Sequence, residues 1–401
     1  MKENRILSIK VNFSMLNFDY IVPTTIHFGK GKLDELGDEL KKHATKVLLV
    51  YGKTSIKKMG LYDEIISILN KKNISFKELS DVKPNPRITS VQKGIEYCNE
   101  YELDFILAVG GGSVIDCAKA IAAGYYYDGD VWDLFFGKEH LIKKALPVGT
   151  VLTLSATGSE MNGNAVITNE TTKEKLAIHH DVLRPQFSIL DPTYTFSVPQ
   201  DQTAAGVVDT MSHVFEQYFS LTKGAYIQNR LSEAILKTCI HYGPISLKNP
   251  KDYDARANLM WSSTLALNKL LTYGKQTDWA THGIEHAVSA VYDVTHAVGL
   301  SVLTPAWMKY VLNDETIPLF EMYTRNIWNV TEKDPRIASE KGIEKTKAFF
   351  SSLSMPTRLS EIHVKKESLP LIAEKATQFG SIGSVKQLDT EDVLIILKNA
   401  F

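Results

Sequence analysis

Phe105-Ile106-Leu107-Ala108-Val109 runs directly into Gly110-Gly111-Gly112-Ser113, and residues 113–123 continue with helical spacing. Five apolar residues followed at once by glycines read as a strand buried on both faces. The order strand, glycine turn, helix is the arrangement that binds phosphate. Glycines let the backbone approach an anion, and the free N–H groups of a helix start attract it. The strict G-x-G-x-x-G fingerprint is absent, because Ile115 stands at its last position. No Gly-Lys-Ser/Thr closes the loop, so it is not a P-loop either. The plain alternative is a tight strand-to-helix turn, but three consecutive glycines exceed what a turn needs. Asp116 and Lys119 lie one turn apart on the helix. Asp116 either favours the dipole from the surface or faces the ligand, and spacing does not choose.

The flanking sequence repeats the pattern. Residues 47–51, 76–79, 145–152 and 187–190 read as further strands, and residues 56–69 and 89–101 as helices. This alternation predicts a parallel sheet covered on both faces. Residues 165–168 and 175–179 flank Asn169-Glu170-Thr171-Thr172 and predict a hairpin. After Pro199 the periodicities become long and helical, punctuated at Gly243-Pro244, Asn249-Pro250, Thr304-Pro305 and Met355-Pro356. The organisation expected is an extension over residues 1–14, an α/β dinucleotide-binding domain over 15–199 and an all-α domain over 200–401.

Two more loops lie where strands of a parallel sheet end, the edge that binds ligands. Thr153-Leu154-Ser155-Ala156-Thr157-Gly158-Ser159-Glu160 follows one strand. Gly52-Lys53-Thr54-Ser55, with Lys57 and Lys58 beyond, follows another. An acid at such a place holds the ribose hydroxyl of NAD, whereas cations accept the 2′-phosphate of NADP. No acid stands in this loop. Gly52, two hydroxyls and three lysines favour NADPH over a merely solvated basic helix start.

Three of the 11 histidines fall within 15 residues: His282, His286 and His296. His282 and His286 are four apart, as are Asp209 and His213, so each pair projects from one helix face. On an unbroken helix His282 and His296 would stand about 21 Å apart. They share a metal only if the chain turns between them, and Val291-Tyr292-Asp293-Val294-Thr295 is a weak helix stretch. One Asp with two or three His suits Fe²⁺, Zn²⁺ or another first-row divalent ion. Gly283 excludes the H-E-x-x-H of zinc proteases.

Together, G-G-G-S-x-x-D-x-A-K, T-x-x-A-T-G-S-E, D-x-x-x-H and H-x-x-x-H-x9-H resemble the iron-containing (group III) alcohol dehydrogenase family. So do Pro23–Gly31, Pro84-Asn85-Pro86-Arg87, Asp191-Pro192 and Leu388–Val393. Within the family the chain looks most like NADPH-dependent butanol dehydrogenases and broad-range aldehyde reductases. The resemblance implies the dehydroquinate-synthase-like fold: an α/β dinucleotide domain, a helical domain and a metal between them. It implies Asp209, His213, His282 and His296 as ligands of Fe²⁺, with Zn²⁺ the other candidate. His286 becomes a group beside the substrate and a candidate in the proton relay. Gly110, Gly111, Gly112 and Ser113 would hold the pyrophosphate, and Asp116 would approach the nicotinamide. Thr153 and Thr157 would face the adenosine side, with Gly52, Thr54, Ser55, Asn85 and Lys175 also near the cofactor. Trp279 and Tyr273 are candidates to line the pocket. The expected reaction is reversible reduction of butyraldehyde-like aldehydes by a homodimer. Rival readings are an NADH-dependent polyol or glycerol dehydrogenase, a lyase on the same architecture and a metal hydrolase.

Composition fits an enzyme of small molecules. The chain has 45 Lys+Arg against 46 Asp+Glu, a net charge of −1. It lacks the basic excess of nucleic-acid or anionic-membrane binders. No stretch approaches a membrane span or a signal peptide. Its three cysteines form no C-x-x-C pair, so a reducing cytoplasm is expected.

Overall fold

The computed structural model describes residues 14–401, so all but the last residue of the expected 1–14 extension lies outside the described residues. Among the described residues eight strands form: β1 (Thr25–Phe28), β2 (Lys46–Tyr51), β3 (Ser75–Leu79), β4 (Phe105–Gly110), β5 (Val148–Leu152), β6 (Asn164–Asn169), β7 (Glu174–His179) and β8 (Phe187–Leu190). Six of them make one parallel sheet in the order β1-β8-β5-β4-β2-β3. β6 and β7 pair antiparallel as a separate hairpin.

β4 explains why its sequence lacks polar alternation. Ile106 and Ala108 enter the core on one face of the sheet, while Phe105, Leu107 and Val109 enter the core on the other. Both faces are covered, so both sets of positions are apolar. The chain runs from β2 outward to β3, then crosses back to place β4 on the other side of β2. The strand order therefore reverses between β2 and β4, and the crevice for a ligand opens there, at the carboxyl ends of the strands. Gly52 and the 110–112 glycines sit at those two ends.

The expected helix over residues 56–69 is two helices, Ser55–Lys58 and Leu61–Lys71. Gly60 separates them with a φ of 82°, a left-handed conformation that only glycine adopts freely. Two expected breaks in the second half are not breaks. Pro244 lies inside Tyr226–Lys248 and Pro305 inside His296–Val311. An interior proline costs a helix about 3 kcal/mol. Burial of Leu303, Trp307 and Met308 around Pro305 offsets that cost in the second case. Asn249-Pro250 does end its helix, at Lys248.

From Gln200 to Phe401 every regular element is helical. The helix Gln200–Tyr218 is buried on all sides from Thr203 to Tyr218, as expected of a helix at the centre of its domain. Gly206 brings it against the loop after β5, where a Cβ would overlap the Ser155 carbonyl oxygen. No helix of the described residues is long and apolar enough to cross a membrane. Cys98, Cys117 and Cys239 are buried and unpaired, and burial pushes all three thiols up to about 12.

Candidate metal and dinucleotide site

The cradle after β4 is glycine for lack of room rather than for backbone torsion. Gly111 precedes the helix Gly112–Gly124 in ordinary extended conformation, with no side-chain cap. A Cβ on Gly110 would come within 2.6 Å of Val114, and one on Gly111 within 3.0 Å of Leu154. On Gly112 it would overlap the Thr157 side chain. The uncapped amides of Gly112 and Ser113 belong to the first turn, where no intrahelical partner exists, so they are available to an anion.

The loop after β5 is tied under this cradle. The Thr153 amide donates to the Gly110 carbonyl at 3.0 Å. The Ser159 amide donates to Thr157 Oγ1 at 3.2 Å. Lys119 is fully buried and donates to Ser159 Oγ, Asn162 Oδ1 and the Asn164 carbonyl at 2.8, 3.1 and 3.0 Å. Burial pulls its ammonium down to about 7 against the opposing pull of Asp116 and Glu160. Asp116 has both oxygens engaged, one by Ser159 Oγ at 2.5 Å and one by the Val166 amide at 3.0 Å. It is thus held in the network of the loop after β5, where burial pushes its carboxyl up against the opposing pull of Lys119.

At the end of β2, Thr54 makes no capping bond and Thr54, Ser55, Lys53 and Lys58 are exposed. Two features revise the sequence picture here. Lys57, also exposed, lies with its Nζ 4.5 Å over the Tyr62 ring. Asp81, 29 residues away in sequence, arrives from the end of β3 and its amide donates to the Gly52 carbonyl at 3.1 Å. An acidic residue absent from the local sequence is therefore tied to this edge through its backbone.

The structure brings Asp209, His213, His282 and His296 together, with one donor atom from each lying within 4.8 Å of all the others. Asp209 and His213 come from the central helix. His282 comes from Ala280–Tyr292 and His296 opens His296–Val311. Asp293 adopts a left-handed φ of 51° between those helices and folds the second back on the first. Asp209 Oδ1 stands 3.9 Å from His213 Nε2 and 3.7 Å from His296 Nε2. Asp209 Oδ1 and His282 Nε2 are buried with no hydrogen-bond partner. Each such orphan costs about 1–3 kcal/mol. A divalent cation among these donors would satisfy both, and one carboxylate with three imidazoles suits Fe²⁺ or Zn²⁺. Burial holds His213 down to about 3, so its ring is neutral and able to ligate.

Two buried acids that sequence reading missed stand behind the imidazoles. Glu216 Oε1 accepts from His282 Nδ1 at 2.8 Å and from the His282 amide at 2.9 Å. Glu285 pairs with His296 Nδ1 and with Lys175 Nζ, the latter at 3.3 Å. Burial alone would raise Glu285, but His296 hydrogen-bonded to it and the Lys175 charge hold it well below the usual carboxylate range. Their only sequence signal was position: Glu216 falls three residues after His213, and Glu285 three after His282.

His286 remains outside the four-donor set, with its ring 5.5 Å from that of His296. Burial, with Lys175 and His296 beside it, holds His286 well below the usual range. The ring is therefore neutral, not a standing store of a proton. Trp279 adopts a φ of 66°, a costly conformation for a bulky residue, and its ring lies 5.3 Å from His282. Tyr273 packs instead on Phe18 and Tyr20, outside this group. Asn85 is spent on the joint between the halves: its Nδ2 donates to Asp293 Oδ1 and to the Val294 carbonyl at 3.0 and 3.1 Å. Arg87 joins it, donating to Asp293 Oδ2 at 2.7 Å.

Comparison with known proteins covers nearly the whole chain. The profile of a family described as iron-containing alcohol dehydrogenase matches residues 23–192. That of the Fe-containing alcohol dehydrogenase family, C-terminal, matches residues 203–401. The chain is 53% identical to NADH-dependent butanol dehydrogenase A of Clostridium acetobutylicum, over 96% of this chain and 100% of that protein. It is 40% identical to the NADPH-dependent aldehyde reductase YqhD of Escherichia coli, over 91% of this chain and 94% of that one. The crystal structure of an NADH-dependent butanol dehydrogenase A from Thermotoga maritima superposes with a TM-score of 0.93 at 41% identity, over 97% and 99% of the two chains.

Proposed function

The chain belongs to the iron-containing alcohol dehydrogenase family, and from that premise we propose that it reversibly reduces short linear aldehydes to primary alcohols, using NADPH and a divalent metal, Fe²⁺ before Zn²⁺. That it is an NAD(P)-dependent alcohol dehydrogenase follows from its relatives. The metal reading is carried by the unpartnered Asp209 Oδ1 and His282 Nε2 in a buried four-residue donor set.

Asp209, His213, His282 and His296 would hold a cation, which would supply Lewis-acid polarisation of a carbonyl oxygen. The nicotinamide supplies the hydride. The chain's own residues do the rest. The glycine cradle fixes the pyrophosphate through backbone amides, and Asp116 is held in place by Ser159 and Val166 toward the nicotinamide end. Trp279 walls the His282 side and limits water. His286 is the imidazole beside the donor set that the set does not use. Its neutral ring is placed to relay a proton to the product oxygen, one nitrogen giving up its proton as the other takes one from solvent in the cavity that His286 lines.

The NADPH reading rests on Gly52, Thr54, Ser55 and the exposed Lys53 and Lys58. An NADH reading is favoured by Asp81 beside Gly52 and by the butanol dehydrogenases whose names specify NADH. Steady-state kinetics with butyraldehyde and each coenzyme decides: NADPH is expected to give the higher kcat/KM, and a preference for NADH overturns that assignment. A Cβ at Gly52 meets only ordinary contacts, the nearest at 3.6 Å from the Val82 carbonyl oxygen. Gly52→Asp is thus expected to fold and to shift preference toward NADH on the order of tenfold. The proposed species is a cytoplasmic homodimer; its exposed Phe18, Tyr20, Ile21, Tyr226 and Ile227 supply apolar surface for association. Sedimentation of the purified protein tests the dimer.

A further inference from the structure

We propose that Glu285 is the positioning residue for His296, and that Lys175, from the α/β half of the chain, holds Glu285 in that role. The inference rests on the metal reading above and concerns how the fourth donor is aimed.

His296 has two ways to place its single ring proton. With the proton on Nδ1, Nε2 presents a lone pair to the donor set, where Asp209 Oδ1 stands 3.7 Å away. With the proton on Nε2, the ring would aim N–H at the same point and exclude a cation. The groups around Nδ1 decide. Lys175 Nζ lies 3.3 Å from it and favours the wrong form, because an ammonium only donates. Glu285 Oε2 lies against the same nitrogen, and an ionised carboxylate only accepts. Both donors are met by one arrangement: His296 Nδ1–H and Lys175 Nζ each donate to Glu285. Glu285 thereby sets the tautomer of His296 and fixes its ring plane.

The carboxylate is built into place. Glu285 is fully buried, with Ser289 Oγ as a further donor. Gly299, on the helix that His296 opens, leaves the space it occupies: a Cβ there would stand 2.8 Å from Glu285 Cγ. An unpaired buried carboxylate is strongly unfavourable, and Lys175 on β7 supplies the counter-charge. His282 has the matching arrangement with Glu216, but from within the helical half alone. The His296 arm is the one braced across the two halves.

The test measures Zn²⁺ affinity of the full chain by chelator competition, and the visible bands of the Co²⁺-loaded protein. Wild type, His282→Ala, Glu285→Gln, Glu285→Gln/Lys175→Met and Gly299→Ala are compared. The double variant removes both charges, so folding is not burdened by an unpaired ammonium. Glu285→Gln and the double variant are expected to bind Zn²⁺ about 10–100-fold more weakly, with shifted Co²⁺ bands. Gly299→Ala, which displaces Glu285 without deleting it, is expected to weaken binding in the same direction. A folded double variant that binds Zn²⁺ as wild type and keeps its Co²⁺ bands overturns the role of Glu285 and leaves the metal reading standing. Wild type and His282→Ala binding Zn²⁺ equally overturns the metal reading, and this inference with it.

Discussion

At Gly110, Gly111 and Gly112 the cleft is shaped by side chains left out, whereas at Asp209, His213, His282 and His296 it is shaped by side chains crowded in. The first region works through backbone amides, so nearly any added atom collides with Val114, Leu154 or Thr157. The second works through buried polar atoms that have no partner within the protein, so any removed side chain takes a donor from the set that would hold a cation. One region tolerates no addition and the other no subtraction. Substitutions that add or remove atoms separate the two.

The largest effect is expected from subtraction. His282→Ala should lose bound metal and lower kcat/KM about a thousandfold or more, the several kcal/mol of Lewis-acid stabilisation. Metal analysis and kinetics on one anaerobic preparation check it. Loss of the metal from His286→Ala, with His282→Ala retaining it, would reverse the donor assignment.

Addition comes next. Gly112→Ala should cost about 1–3 kcal/mol of stability through overpacking against Thr157. Thr157→Ala in the same chain should recover much of that, as denaturant midpoints would show. Equal, additive losses would mean that the cradle's glycine is not dictated by Thr157.

A pH dependence rather than a loss at fixed pH probes the lysine that ties the cradle to its neighbouring loop. Lys119 titrates at about 7 in the fold and near 10.5 in the unfolded chain. Between those values the unfolded chain binds more protons, so stability should rise as pH climbs from about 7 toward 10.5. Lys119→Met should flatten that rise in a pH series of unfolding curves. An unchanged slope would show that Lys119 is not its source.

The two regions also differed in how far the amino-acid sequence disclosed them. Three adjacent glycines after an apolar run announce a cradle because close approach leaves no other residue type usable. Asp209 with His213, and His282 with His286, announce a cluster through helical spacing, although spacing alone does not tell which of the histidines are donors. Glu216 and Glu285 were not legible, because a buried acid and a solvated one on a helix look alike until the neighbouring helices are placed. Asp81 was missed at the Gly52 edge because strand pairing, not sequence proximity, brings it there. Asn85 was expected at the cofactor, yet its partners lie 208 and 209 residues away. The parallel sheet followed from periodicity. Gly60 and Pro305 show its limit: one glycine broke a continuous apolar pattern, and one proline failed to break another, each by local torsion or packing.

The left-handed turn at Asp293 carries a consequence for exchanging parts between relatives. It sets where His296 begins, yet Asn85 and Arg87 clamp it from the other half of the chain, with Glu170 also on Arg87 at 3.0 Å. A hybrid enzyme joined near residue 199 inherits its four donors from one parent and the clamp from the other. Such hybrids should assemble a working centre only where Asn85, Arg87 and Asp293 descend as a matched set, whatever the junction sequence.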